Sequence, residues 1–99
     1  FRMEMFEALV RGYLSTAGHI LRPAERDALF TGAVVITLET GIRFLTDHLV
    51  GDRYFKTHRP LHNLDRARTT LALVQRMEER EEEARALIHG VANELNLPE

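Results

Sequence analysis

Apolar positions along the chain fall into helical repeats almost from the first residue. Between Met3 and Ala17 the set Met3, Phe6, Leu9, Val10, Tyr13, Leu14 and Ala17 recurs at three- and four-residue spacings, which puts one apolar face on a helix. Glu4 and Glu7 stand in its first turn, where they favour the helix dipole. Gly18 is the expected stop, because glycine tolerates the left-handed backbone common just past a helix end. Pro23 is suited to opening a short second helix through about Phe30, with Gly32 marking the break. From Ala33 to Val50 the set Val34, Val35, Leu38, Ile42, Leu45 and Leu49 keeps helical spacing over a length no ordinary strand reaches. The β-branched start at Val34, Val35, Ile36 and Thr37 is compatible with a strand, but the longer repeat decides for helix. This is the most apolar segment, so it is expected at the centre of the core.

The last apolar stripe, Leu64, Ala67, Leu71, Val74 and Met77, resumes at Ala84, Leu87, Ile88, Val91 and Leu95 after the acidic run Glu78–Glu83. Asn63 is the expected N-cap, and Pro98 the expected stop. The pattern predicts one helix to about Leu95 with a solvated middle or a kink near Arg80. The acidic run reads as a solvated face, with Glu81 and Arg85 spaced to pair. No strand pair and no internal repeat is visible. The expected fold is an all-α bundle of about four helices: two short ones at the N-terminus, a central apolar one and a long C-terminal one.

Between the last two helices, Gly51–Leu61 breaks the pattern. It places Tyr54 and Phe55 among Arg53, Lys56, His58 and Arg59. A connector that is merely solvated rarely carries adjacent aromatics, and loops held by rigid helices often carry sites. Just before it, Arg43 has Glu39 four residues earlier and Asp47 four residues later, so all three share one helix face. By spacing alone Arg43 reads first as an ion-paired surface residue, and Tyr54 and Phe55 equally as packing or as site.

Composition narrows the classes. The chain has 99 residues, enough for one core and too few for a two-lobed enzyme. Its net charge of −2 gives no bulk attraction to nucleic acid. The basic residues gather centrally, however: Arg53–Arg68 holds five against one acidic residue. Arg53, Lys56, Arg59, Arg66 and Arg68 are expected to form a solvated face rather than a phosphate site. There is no cysteine, which excludes disulfides and thiolate chemistry and suits a cytoplasmic chain. No apolar run looks long enough to span a bilayer, so no membrane partner is expected. His48, His58 and His62 lack the spacing of a helical metal site, so no metal is expected.

The stretch GIRFLTDHLVGDRYFKTHRPLHNLDRARTTLALV resembles the C-terminal helical part of bacterial sugar kinases of the aminoglycoside phosphotransferase/choline kinase fold, and most nearly the N-acetylhexosamine 1-kinases. The likeness is close from about Gly32 to Val74 and looser from Phe6 to Arg80. It implies that residues 1–99 are a single helical domain, a C-terminal substrate-side fragment of a larger kinase. That kinase would transfer the ATP γ-phosphate, with Mg²⁺, to an N-acetylhexosamine. It further implies that Arg43 and Tyr54 contact the sugar, with Glu39 and Asp47 orienting Arg43, while Phe55 packs. His48 departs from the resembled pattern, which has tyrosine there. The chain shows no His-x-Asp-x-x-x-x-Asn catalytic loop, no glycine-rich phosphate loop and so no catalytic residue of its own. ATP, Mg²⁺ and the nucleotide-binding lobe would therefore belong to upstream sequence, in keeping with a chain that begins at Phe1 rather than methionine. The competing expectation is a stand-alone interaction module that forms a homodimer through an uncovered stripe at Ala84–Leu95.

Overall fold

The computed structural model describes residues 1–98. They form five α-helices and no strand: α1 (Met3–Ala17), α2 (Pro23–Asp27), α3 (Leu29–Leu49), α4 (His62–Glu79) and α5 (Glu81–Glu94). The all-α expectation holds, with one helix more than expected. Packing divides the chain into two compact units: Phe1–Gly32 with the segment that begins at Arg80, and Ala33–Glu79.

In the first unit α1 and α2 both pack against α5. The core is Val10 and Leu14 from α1, Phe30 from the start of α3, Ala84, Ile88, Val91 and Ala92 from α5, and Leu97 beyond it. Of the stripe expected on α1, Val10 and Leu14 are buried, while Leu9 and Tyr13 are exposed. Phe6 extends the core at its edge by an edge-to-face contact with Phe30, centroids 6.4 Å apart. Arg11 closes the α1–α5 pair from outside through Glu94 at 2.6 Å.

Gly18 does end α1, but not for the expected reason. Its backbone is right-handed, with φ −59°. Glycine is needed because Leu97 packs where a side chain would stand: a Cβ at residue 18 would lie 2.6 Å from Leu97 Cδ1. The second helix also differs from expectation. It ends at Asp27, and α3 restarts at Leu29 and passes straight through Gly32, whose N–H donates to Ala28 O at 2.9 Å.

The long C-terminal helix breaks at Arg80, whose backbone (φ −116°, ψ 23°) leaves the helical region. The Arg80 guanidinium then binds Glu83 at 2.8 Å, which raises the pKa of the arginine and lowers that of the carboxyl. The Glu81–Arg85 pair forms at 2.8 Å as its spacing suggested. Asn96, not Pro98, stops α5. It takes a left-handed φ of 57°, and the Leu97 N–H turns back to Ala92 O at 3.0 Å, which seats Leu97 in the core. Of the stripe expected to carry a homodimer, Ala84, Ile88 and Val91 are buried within this unit, while Leu87 and Leu95 are half-buried.

The second unit holds the rest of α3, the loop after it, and α4. Ala67, Val74 and Met77 on α4 are buried. Gly41 on α3 faces α4, and a Cβ there would meet Leu71 Cδ2 at 2.9 Å. Gly41→Ala is therefore expected to cost about 1 kcal/mol, the low end for overpacking, because the leucine end can rotate away. Urea unfolding of the variant checks it.

The expectation that α3 lies at the centre of the core is overturned. Val35, Ile36, Leu38, Ile42, Leu49 and Val50 are all exposed, Ile36 to 66% and Leu49 to 74%. The buried positions on this part of α3 are Gly41 and Asp47 instead, a small residue and a polar one. The membrane reading changes as well. By length and composition alone, the 21-residue α3, whose most apolar 18-residue stretch has mean hydropathy 1.4, is long and apolar enough to cross a bilayer. Asp47 nonetheless ties the C-terminal part of α3 to the polar loop that follows.

Candidate functional site

The site is built by one carboxylate near the end of α3. Asp47 is only 3% exposed. Its Oδ1 accepts from the backbone N–H of Arg53 at 2.9 Å and of Tyr54 at 2.7 Å; its Oδ2 accepts from the N–H of Phe55 at 3.0 Å and from Asn63 Nδ2 at 2.7 Å. A carboxylate that receives this many donors can fix a loop that has no regular structure of its own. Burial by itself works to raise the Asp47 pKa. The three backbone N–H groups and the Asn63 amide outweigh it, and the carboxyl is held below its ordinary value.

The turn that brings the loop back to Asp47 depends on unusual backbone. Gly51 (φ 97°) and Asp52 (φ 59°) are both left-handed, and the Asp52 N–H returns to Asp47 O at 2.8 Å. Glycine and aspartate are among the residues that reach this region at least cost. Asn63 does not cap α4, which already begins at His62. It is fully buried in the first turn and bridges two acids, donating to Asp47 Oδ2 and to Asp52 Oδ1 at 3.0 Å. Its Oδ1 accepts from Arg66 Nη1 at 3.0 Å. Arg66 also donates to Lys56 O at 3.1 Å and lies over the Phe44 ring at 5.5 Å, so it holds the far end of the loop.

With the loop fixed, Tyr54 and Phe55 meet Arg43. The guanidinium stands 5.6 Å from the Tyr54 centroid and 5.5 Å from that of Phe55, within cation–π range. Phe55 is half-buried between Phe44, at 4.7 Å, and Tyr54, at 5.0 Å. The result is an open cavity of about 360 Å³ lined by Arg43, Thr46, Asp47, Val50, Tyr54 and Phe55. That volume is at the lower end of small-molecule sites. Chemically it offers a cationic donor fork, a phenol hydroxyl and an aromatic face beside aliphatic Val50.

Arg43 and Tyr54, inferred from sequence as one site, are thus brought together. The roles suggested for Glu39 and Asp47 are not seen in this arrangement. No ion pair joins Arg43 to either acid among the described residues, since both Asp47 oxygens are taken by the loop and Asn63. Arg43 is oriented by the two aromatic rings instead. Glu39 does not line the cavity. Sequence reasoning missed Asn63, Asp52 and Arg66 as the loop's supports. The one signal available was an aspartate in the last turn of a helix that runs into Gly-Asp.

A second cavity of about 300 Å³ is lined by Phe44, Arg59, His62, Asp65, Arg66, Thr69 and Thr70. Its cations are partly neutralised within the protein: Asp65 binds Arg59 at 2.7 Å and Arg68 at 4.0 Å. Burial, then Arg66 and Arg59, lower the His62 pKa, and His62 Nδ1 accepts from the His58 N–H at 3.2 Å. The basic set expected to be a solvated face is therefore partly built into the loop.

No family model matches the chain. What the fold and site define is an all-α protein with an aromatic, arginine-bearing cleft supported by a buried aspartate–asparagine pair.

Proposed function

We propose that this chain is the substrate-positioning, C-terminal helical part of a sugar phosphotransferase, and that the cleft between Arg43 and Tyr54 holds an N-acetylhexosamine. The single observation that supports the reading is the convergence of Arg43 and Tyr54, eleven residues apart in sequence, on one open cavity with a mostly apolar wall. Sugars present apolar ring faces that stack on aromatics and hydroxyls that take directional hydrogen bonds, and the cleft offers both partners. ATP and Mg²⁺, held by an upstream lobe, would supply the phosphoryl group and neutralise its charge. The work of this chain is to fix the sugar's orientation, which is a large part of what phosphoryl transfer requires. It supplies no base and no metal ligand to the reaction.

The test is in two stages. Titrating N-acetylglucosamine and N-acetylgalactosamine into the isotope-labelled chain is expected to shift Arg43, Tyr54 and Phe55 amide signals saturably, in the millimolar range. Arg43→Ala is expected to weaken that binding by roughly tenfold, the worth of one or two charged hydrogen bonds. In the longer enzyme the same substitution lowers kcat/KM for the sugar by a similar factor and leaves the KM for ATP unchanged. Equal damage to ATP and sugar, or no sugar response in either stage, overturns the reading.

One observation favours a second reading, a helical interaction module. It is the exposed stripe Val35, Ile42 and Leu49 on α3. Exposed apolar patches commonly meet a partner. That stripe serves a missing lobe or a second copy equally, so the sugar titration, not the oligomeric state, separates the two.

A further inference from the structure

Arg66 is a cation held in place by neutral groups. Its Nη1 donates to Lys56 O at 3.1 Å and to Asn63 Oδ1 at 3.0 Å, and its guanidinium lies 5.5 Å from the Phe44 centroid. Its Nε and Nη2 make no hydrogen bond among the described residues, and they are not shut off from solvent. The neighbouring acid on α4, Asp65, is engaged by Arg59 at 2.7 Å and by Arg68 at 4.0 Å. Arg66 is thus a guanidinium fixed in direction with donors still available, the form in which arginine recognises multi-oxygen anions. His62 adds a donor beside it. Its Nδ1 accepts from the His58 N–H at 3.2 Å, so the neutral ring carries its proton on Nε2.

Arg59, His62 and Arg66 line one cavity of about 300 Å³, with Phe44, Asp65 and two threonines completing its wall. We propose that this cavity binds a small phosphate monoester, its phosphoryl group held by Arg59 and Arg66 and its carbon part lying against Phe44. The charge balance selects the class. Arg59 and Arg66 against Asp65 leave one net positive charge, and protonation of His62 adds a second. A phosphate monoester carries a charge of about −1.5 to −2 near neutral pH and presents three acceptor oxygens. A carboxylate has two oxygens and one charge, so it would leave donors of this wall unmet. One isolated cavity on a chain of net charge −2 suits a single phosphoryl group rather than a nucleic-acid backbone. The field at His62 has the right sign. Burial first, then Arg66, Arg59 and His58, hold its pKa below the ordinary value, with Asp65 opposing them. From α3 the wall receives Phe44, which brings no charge. The cavity shares no lining residue with the cleft at Arg43, so the proposal does not rest on the sugar reading.

The experiment is a titration of the full 99-residue chain with glucose 6-phosphate, inorganic phosphate, sodium acetate and sodium chloride at fixed ionic strength, reading the His62 ring and Thr69 amide by NMR. The expected result is a saturable shift in the millimolar range with glucose 6-phosphate, a weaker one with inorganic phosphate and none with chloride. With the ester bound, the His62 titration midpoint moves to higher pH, because the anion offsets the surrounding positive charge. Arg59→Gln leaves the Arg66 contacts intact and weakens binding about tenfold, as loss of a hydrogen bond between charged groups does. Asp65→Asn removes the repelling acid and tightens binding about threefold. That gain separates a ligand site from a structural ion pair, whose loss would bring no gain. A glucose 6-phosphate response no different from chloride overturns the proposal, as does an unmoved His62 midpoint or an unchanged affinity in Arg59→Gln. Acetate as tight as glucose 6-phosphate overturns the phosphate class, and inorganic phosphate as tight overturns the monoester. A single-stranded oligonucleotide that binds more tightly than the sugar phosphate assigns the cavity to nucleic acid and overturns it too. If Asp65→Asn does not fold, the Arg59→Gln affinity and the His62 midpoint decide.

Discussion

Asp47→Ala is expected to unfasten the loop from α3 and to lower Tm by roughly 10 °C or more, because it strands three backbone N–H groups and removes one of the two acceptors of the Asn63 amide at once. Asparagine is expected to rescue little. Two donors meet each carboxylate oxygen, so whichever way an amide turns, its NH₂ faces two N–H groups. Both variants should also lose the proposed sugar binding, since Tyr54 and Phe55 take their positions from this carboxylate. The pH dependence has a definite sign. The folded-state pKa of Asp47 lies below its unfolded value. Its contribution to stability is therefore complete above the unfolded value and disappears as pH falls through the folded one. Urea unfolding as a function of pH should show an acid-side loss in the wild type that is smaller in Asp47→Ala, where only the other carboxyls lowered by the fold, such as Glu83, still contribute. A variant as stable as wild type, or with the same acid slope, would sink the claim that this residue organises the loop.

Much of the secondary structure was legible in the apolar spacing. Met3–Ala17 matches at both ends, and the break near Arg80 was marked by the acidic run. What spacing could not supply was the reason for each stop. Gly18 looked like a left-handed cap and is instead a clearance for Leu97, seventy-nine positions along the chain. Gly32 looked like a break and is a helix interior, since one glycine weakens a helix only slightly. Asn63 looked like a cap, but its side chain had two acids to bridge, the buried Asp47 and the exposed Asp52, a stronger demand than an N-terminal N–H.

Burial was the least legible property. Apolarity put α3 at the centre, yet Ile36 and Leu49 face outward and Asp47 faces in. Helical spacing reveals a face; it does not reveal whether anything in the same chain covers that face. The site followed the same logic. Arg43 and Tyr54 were accessible to inference through the resembled motif, but the acids at helical spacing from Arg43 suggested ion pairs that do not form. Aromatic rings hold Arg43 instead, at a range that local spacing on one helix cannot encode. The exposed stripe of α3 and the proposed parent enzyme are consistent with one another: a substrate-side subdomain has apolar surface that another lobe would cover.

Gly18→Ala tests the tightest packing in the first unit. Its added methyl would stand 2.4 Å from Leu14 O and 2.6 Å from Leu97 Cδ1. The leucine end can turn aside, but the carbonyl oxygen is backbone and accepts the Gly18 N–H at 2.9 Å, so relief requires the end of α1 to move. The usual benefit of replacing a right-handed glycine by alanine, lower entropy of the unfolded chain, is worth about 1 kcal/mol at most. Overpacking against backbone costs about 3 kcal/mol, so the clash wins and the variant is less stable by roughly 2 kcal/mol. Leu97→Ala in the same background separates the two contacts. If Leu97 is the obstacle, the double variant recovers part of the loss relative to the sum of the single changes, a coupling that a double-mutant cycle reads directly. If the Leu14 carbonyl is the obstacle, the effects add. Gly18→Ala that is as stable as wild type would mean that α1 and Leu97 are not held together here, and that glycine was placed at the helix end by chain entropy alone.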